Sequence, residues 1–350
     1  MLTIFNKWFN QLFGDEESLI LLLLLIGGVT LVVLMGAILA PLIAAVIFAF
    51  LLQGVDSLLR SWGFSERISL WLCYAIFISI FVISLIFIMP LVWNQLVNLF
   101  AELPRMLIAV KKAVIALEGD LFSKEQLSGL LINTSEQVAG LGQWVVSFSL
   151  SNISNIIGIL IYIIIVPILV FFLLMDRDVI LTWSASFLPK RRPLMQKIWA
   201  EMNNQVANYA RGKAIEIIVV GMVSYIAFLV LGLNYAALLA MLVGLSVVIP
   251  YIGAAVVTVP VLLVGFVQWG WGSDFAYLFF TYMIIQALDG NVLVPLLFSE
   301  AVNLHPVAII LAVLFFGGIW GLWGVFFAIP LATLIKALIN AWPAALPASN

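Results

Sequence analysis

Charge is what this sequence has least of. Asp, Glu, Lys and Arg make up 9% of its 350 residues, against roughly 25% in soluble domains. Hydrophobic residues make up 65%, and the mean hydropathy is +1.23. A soluble fold cannot cover its surface with so few charges, so a disordered chain, a nucleic-acid binder and an ordinary soluble enzyme are all excluded. A single cysteine, Cys73, leaves no intramolecular disulfide and no cysteine-rich metal site. A single histidine, His305, leaves no histidine-cluster metal chemistry. The sequence also has no phosphate-binding GxxxxGK[ST] run and no HExxH motif. It therefore reads as a non-enzyme without cofactor, in which any movement of a solute must use an ion gradient or run downhill.

What is present in quantity is apolar length. A spanning helix needs about 20 apolar residues, and the chain offers about eight such segments. They are Ser18 to Leu39, Pro41 to Leu59, Ser69 to Leu91, Ile153 to Met175, Ile215 to Leu233, Ala236 to Trp269, Phe275 to Phe298 and Pro306 to Leu338. The first follows Asp15, Glu16 and Glu17 rather than a basic stretch, so it reads as a retained span and not a signal peptide. Ala40-Pro41 and Pro90 are expected to end spans. The fold class is an all-α polytopic membrane protein. Its parts are an N-terminal segment with three spans (1–92), an outer helical segment (93–152), a span (153–175), a basic segment (176–213), a C-terminal transport region (214–340) and a tail (341–350).

Basic residues orient such a chain, because they stay on the cytoplasmic side. Segment 176–213 carries Arg177, Lys190, Arg191, Arg192, Lys197, Arg211 and Lys213 against Asp176, Asp178 and Glu201, and is expected in the cytoplasm. Segment 93–152 holds Arg105, Lys111, Lys112 and Lys124 against five acids, and is expected outside. Arg60 and Arg67 put the turn between the second and third spans inside. Both termini then lie in the cytoplasm. In the outer segment Leu96, Leu99, Leu103, Leu107, Val110, Val114, Leu117 and Leu121 form a helical seam. It packs on the chain's own helices or on a second subunit of a homo-oligomer. The basic turn Pro189-Lys-Arg-Arg-Pro193 reads as a sidedness determinant near anionic headgroups.

The sixth and eighth segments are too long for single untilted spans. The sixth is interrupted at Pro250 and Gly253, and again at Pro260. The eighth is interrupted at Gly317, Gly318, Gly321 and Gly324, and again at Pro330. Paired interrupted segments point to a transporter binding site, which makes both segments candidate re-entrant or broken helical hairpins. Kinked crossing helices with glycines for close packing are the other reading. The loop ending at Ser273 separates the two, outside for hairpins and inside for crossings. Between them, Gln286, Asp289 and Asn291 precede Pro295, whose missing N–H frees the Asn291 carbonyl. A carboxylate at membrane depth costs about 2.5–3.5 kcal/mol, so Asp289 is either a functional group or the cap of a broken helix. Glu300 and His305 follow in a short polar stretch. Arg211, Lys213 and Glu216 sit at the edge of the fifth segment, as a helix-end pair or as a gate. Asp289 and Glu216 are the candidate carriers of a coupling proton.

Several of these stretches carry a resemblance. FFLLMDRD at 171–178, NQVANYARGK at 204–213, VGLSVVIPYIGA at 243–254, QALDGNVLVP at 286–295, SEAVNLHP at 299–306 and FGGIWGLWGVFFAIPLA at 316–332 resemble the autoinducer-2 exporter (AI-2E) superfamily, in its PerM-like permease branch. The resemblance covers nearly the whole chain. It implies about eight spans, a bacterial inner-membrane location and homo-oligomers. It also implies transport, either export of a small signal such as autoinducer-2 or sodium/proton antiport. With few intramembrane charges, the residues themselves suit a small polar neutral solute, moved with H+ or Na+.

Overall fold

The computed structural model describes residues 16–116, 153–250, 252–298 and 304–341. Among these the secondary structure is helical throughout. The helices are α1 (Glu16–Ser61), α2 (Glu66–Ile83), α3 (Met89–Ala116), α4 (Ile153–Met175), α5 (Arg177–Ser186), α6 (Pro193–Leu231), α7 (Ala236–Ser246), α8 (Ile252–Trp269), α9 (Ser273–Leu288), α10 (Val294–Phe298) and α11 (Pro306–Ala341). Seven stretches among the described residues are long and apolar enough to cross a bilayer. Large apolar side chains cover the outside, Leu34, Phe172 and Val230 among them. Lipid solvates such side chains without cost. The chain is a multi-pass membrane protein.

Two expected span ends are corrected. Pro41 lies inside α1, which runs unbroken past it. Pro90 lies inside α3, and Pro104 too. In an apolar solvent every backbone group needs a partner from its own helix, so a helix continues through a proline at the loss of one bond. The lost bond is absorbed locally. Ser84–Ile88 and Asp289–Leu293 are wide π-turns. Each is centred four residues before a proline, Pro90 and Pro295 respectively, on the carbonyl the ring would otherwise strike. The Asn291 side-chain amide donates to the Ala287 carbonyl at 2.8 Å, satisfying an acceptor in the widened turn.

By contacts the chain divides into two compact units. The first comprises the described parts of Met1–Ala75, Tyr162–Ala214 and Phe298–Asn350. In it, the Met195 N–H donates to Glu17 Oε1 at 2.7 Å, and Leu21, Met195 and Ile198 form a small core with Leu334 and Leu338. Farther along α1, Gly54 lies so close to Arg211 that a Cβ there would sit 2.9 Å from Arg211 Cδ. A straight helix would separate residues 17 and 54 by about 55 Å, whereas 195 and 211 are only about 24 Å apart on α6. α1 must therefore bend between its two contacts.

The second unit comprises the described parts of Ile76–Ile161 and Ile215–Leu297. Its core joins Leu99 and Met106 of α3 to Val220, Phe228, Leu239, Val243, Val261, Leu278 and Tyr282, with Leu96 and Leu103 packed against it. The start of the outer seam thus packs on the chain's own helices. Its later positions, from 117 on, lie outside the described residues.

Candidate functional site

The sixth apolar segment folds back on itself in the second unit. α7 ends at Ser246, and the chain turns through Val248, Ile249 and Pro250 into α8. Gly253 lies against the Ser246 backbone so closely that any Cβ would overlap the Ser246 carbonyl. The far ends of the two helices also meet. Gln268 Nε2 donates to the Gly232 carbonyl and Gln268 Oε1 accepts from the Asn234 N–H, both at 2.8 Å. One side chain thus ties the start of α7 to the end of α8, and the segment is a helical hairpin. α3 braces its mouth. Gln95 Oε1 accepts from the Leu238 N–H at 2.8 Å. Burial, with a hydrogen bond to Glu102, pushes the Tyr235 hydroxyl pKa up to about 12. A second glycine contact seats the hairpin on α6, with a Cβ on Gly244 only 2.8 Å from the Ile217 carbonyl and 3.0 Å from Gly221 Cα.

The eighth segment turns in the same manner inside the first unit. Gly321 has φ 59° and ψ −133°, which splits α11 into Pro306–Gly321 and Trp323–Ile339. A Cβ on Gly324 would overlap the Phe316 carbonyl, and one on Gly317 would lie 2.8 Å from Val325 Cγ2. On a straight helix residues 316 and 324 would be about 12 Å apart, so the chain reverses here too. Gly318 is exposed beside this turn. Pro260 and Pro330 are corrections: each lies within a continuous helical arm and breaks nothing. A lone proline removes one backbone bond. Reversal needs the close backbone approach that glycine permits, joined in the second hairpin by the left-handed φ of Gly321.

A chain of polar side chains runs from α9 to the first hairpin's turn. Gln286 Nε2 donates to Tyr282 Oη at 3.0 Å, and Tyr282 Oη lies 3.1 Å from Thr258 Oγ1. Thr258 Oγ1 donates to the Ala254 carbonyl at 2.7 Å, so its proton is committed. Tyr282 must then donate to Thr258, and the four groups share one direction. Tyr282 is fully buried. The sequence reading singled out Gln286 and missed Tyr282 and Thr258. Their signal was a hydroxyl-bearing residue inside each of two apolar runs.

The other predicted residues fall apart into separate places. Asp289 and Asn291 lie on the π-turn one helical turn beyond Gln286, and Pro295 follows in α10. Glu216 is 2% exposed and belongs to the second unit; Lys213 is 4% exposed and belongs to the first. Neither is at a helix end, because α6 is continuous from Pro193 to Leu231. The expected helix-end placement is thus corrected. Lys213 Nζ lies 5.1 Å from the centre of the Phe298 ring. A Cβ on Gly212 would come within 2.7 Å of that ring. Tyr209 flanks the ring at 5.8 Å. Arg211, two residues from Lys213 and so on the opposite face of α6, lies along Gly54. His305 is exposed at the start of α11, where its Nδ1 accepts from the Val307 N–H at 3.3 Å. Glu300 lies outside the described residues.

A third polar group lies in the first unit, where Asp56, Arg60, Glu66, Arg177 and Asp178 line a cavity of about 80 Å³. Arg60 holds Asp56 at 2.9 Å and Glu66 at 3.0 Å, and Ser69 Oγ donates to Asp56 Oδ1 at 2.5 Å.

Paired interrupted apolar segments point to transporter architecture, and comparison with known proteins agrees. The family model described as AI-2E family transporter matches residues 19–344. The chain belongs to the AI-2E transporter family. PerM of Escherichia coli (strain K12), named a permease, is 44% identical over 346 residues, 98% of each chain. YueF of Bacillus subtilis (strain 168), named a transport protein, is 27% identical over 318 residues, 87% of this chain and 84% of its own. YrrI of the same organism is 24% identical, covering 85% of each. In this AI-2E family member the hairpin turns fall within the stretches 243–254 and 316–332, and the π-turn within 286–295.

Proposed function

We propose that the protein is a secondary transporter of the bacterial inner membrane that moves a small polar, uncharged solute, of the autoinducer-2 type, past the tip of the first hairpin. The carrying observation is the directed chain Gln286–Tyr282–Thr258–Ala254, which places hydrogen-bonding groups beside a backbone turn. Polar atoms at membrane depth cost several kcal/mol unless satisfied. A solute with hydroxyl and carbonyl groups can exchange with such partners. Asp289, on the widened turn next to Gln286, and the buried Glu216 are the carboxylates for a coupling proton.

The orientation proposed is cytoplasmic for both termini and outward for the first hairpin's mouth. Three contacts favour it. The turn bearing Arg60 and Glu66 shares a cavity with Arg177 and Asp178, and the charge pattern assigns both to the cytoplasm. Leu21 meets Met195 and Ile198 beside Leu334 and Leu338. The mouth of the first hairpin is held by Gln95 and Glu102 of the acid-rich outer segment.

Uptake into proteoliposomes tests the proposal, with autoinducer-2 precursor and sodium as solutes, with and without a proton gradient. The expected result is precursor flux by wild type and its loss in Asp289→Asn, which still inserts. Normal flux in that variant removes Asp289 from the mechanism. Gradient-driven sodium exchange without precursor flux overturns the solute class.

A further inference from the structure

α4 is a spanning helix that ends at Met175, and α5 starts two residues later. Asp176, with φ −106° and ψ 19°, breaks the helical path between them. α5 therefore begins where a spanning helix ends and the chain changes direction. No residue of this 10-residue helix is buried. Its side chains divide into stripes at i, i+4 spacing. Asp178, Thr182 and Ser186 form one, and Asp178 faces the cavity lined by Arg60 and Glu66. Val179, Trp183 and Phe187 form the other and are 69%, 65% and 71% exposed. The Trp183 and Phe187 rings meet edge to face, 5.0 Å apart. Directly after this stripe come the exposed Lys190 and Arg191, and Lys197 in the first turns of α6. Arg192 is bound elsewhere, donating through Nη1 to the Ala185 carbonyl at 2.7 Å and fixing the angle at which the basic turn leaves α5.

We infer that α5 lies in the interface of the cytoplasmic leaflet, with Val179, Trp183 and Phe187 inserted at the acyl boundary and Lys190, Arg191 and Lys197 on anionic phospholipid headgroups. An apolar stripe rich in aromatic residues beside a basic cluster fits this occupant. An aqueous surface would leave three large apolar groups in water. The cations choose the lipid: each Lys or Arg near an anionic surface raises the docked-to-free ratio about fivefold. Neutralising two of them lowers that ratio about thirtyfold. Because α5 leads directly into α6, docking anchors the cytoplasmic end of the helix that carries Arg211, Lys213 and Glu216.

The test uses the full-length protein with Cys73→Ser and a single Val179→Cys bearing an environment-sensitive fluorophore, with Thr182→Cys as the comparison. Each is reconstituted in vesicles of phosphatidylcholine alone or with phosphatidylglycerol, and unchanged size-exclusion elution checks the fold. Brominated acyl chains are expected to quench the probe at 179 and not at 182. Quenching is expected to be stronger with phosphatidylglycerol, and to lose that dependence in Lys190→Gln/Arg191→Gln. A probe at 179 quenched by aqueous iodide and not by brominated lipid overturns insertion. Shielding from both quenchers assigns the stripe to a protein surface, such as a second copy, and overturns it equally. Equal quenching in the two vesicle types overturns the anionic headgroup assignment.

Discussion

Replacing Tyr282 with phenylalanine isolates the hydroxyl at the centre of the polar chain. The ring is fully buried, and phenylalanine fills the same volume, so packing is unchanged. Two hydrogen bonds go, from Gln286 at 3.0 Å and to Thr258 at 3.1 Å. Each is worth about 0.5–1.5 kcal/mol net, and the half-buried Gln286 amide loses its acceptor. The expected cost of Tyr282→Phe is about 1–3 kcal/mol. Gln286→Leu removes one of the same bonds, so the two substitutions share a term. Their combination is expected to cost about 1 kcal/mol less than the sum of the singles. Unfolding midpoints of the purified protein in detergent, for wild type, both singles and the double, supply the cycle. Strict additivity, or a Tyr282→Phe midpoint equal to wild type, would refute the argument that these groups form one directed chain.

Three further outcomes follow from the geometry. Gly253→Ala puts a Cβ onto the Ser246 carbonyl, backbone against backbone. The hairpin then opens at a cost near the upper end of the usual 1–3 kcal/mol for overpacking, seen as a lowered unfolding midpoint, while exposed Gly318→Ala leaves it unmoved. Gln268→Glu keeps the acceptor for Asn234 and loses the donor to Gly232, setting a carboxylate against a carbonyl. The unfolding midpoint is expected to fall, and an unchanged midpoint would mean Gln268 does not hold the hairpin shut. Gly212→Ala pushes the Phe298 ring away from Lys213 and removes a cation–π contact worth about 0.5–2 kcal/mol; an undisturbed unfolding midpoint would show that the ring has room to move.

The membrane class follows from composition, since so few charges cannot coat a soluble surface. Span positions follow from apolar length, and the family follows from motifs in order. Spacing also marked both interrupted segments, because glycine and proline clusters cannot continue an ordinary helix unaided. Which residues make the interruption was decided by tertiary structure. Pro260 and Pro330 look as disruptive as Pro250 in sequence, yet lie in continuous helical arms. Gly253 and Gly324 close the turns because another strand of backbone lies where their Cβ would be. That fact is about neighbours in space, and sequence spacing is silent on it. Pro41 and Pro90 mislead for a related reason: in an apolar solvent the helix has nowhere else to satisfy its backbone, so it bends or widens instead of ending. Gln286 was visible as a polar residue in an apolar run. Tyr282 and Thr258 became its partners only when α9 was laid beside α8, because a directed hydrogen-bond chain needs donors and acceptors about 3 Å apart from two different helices.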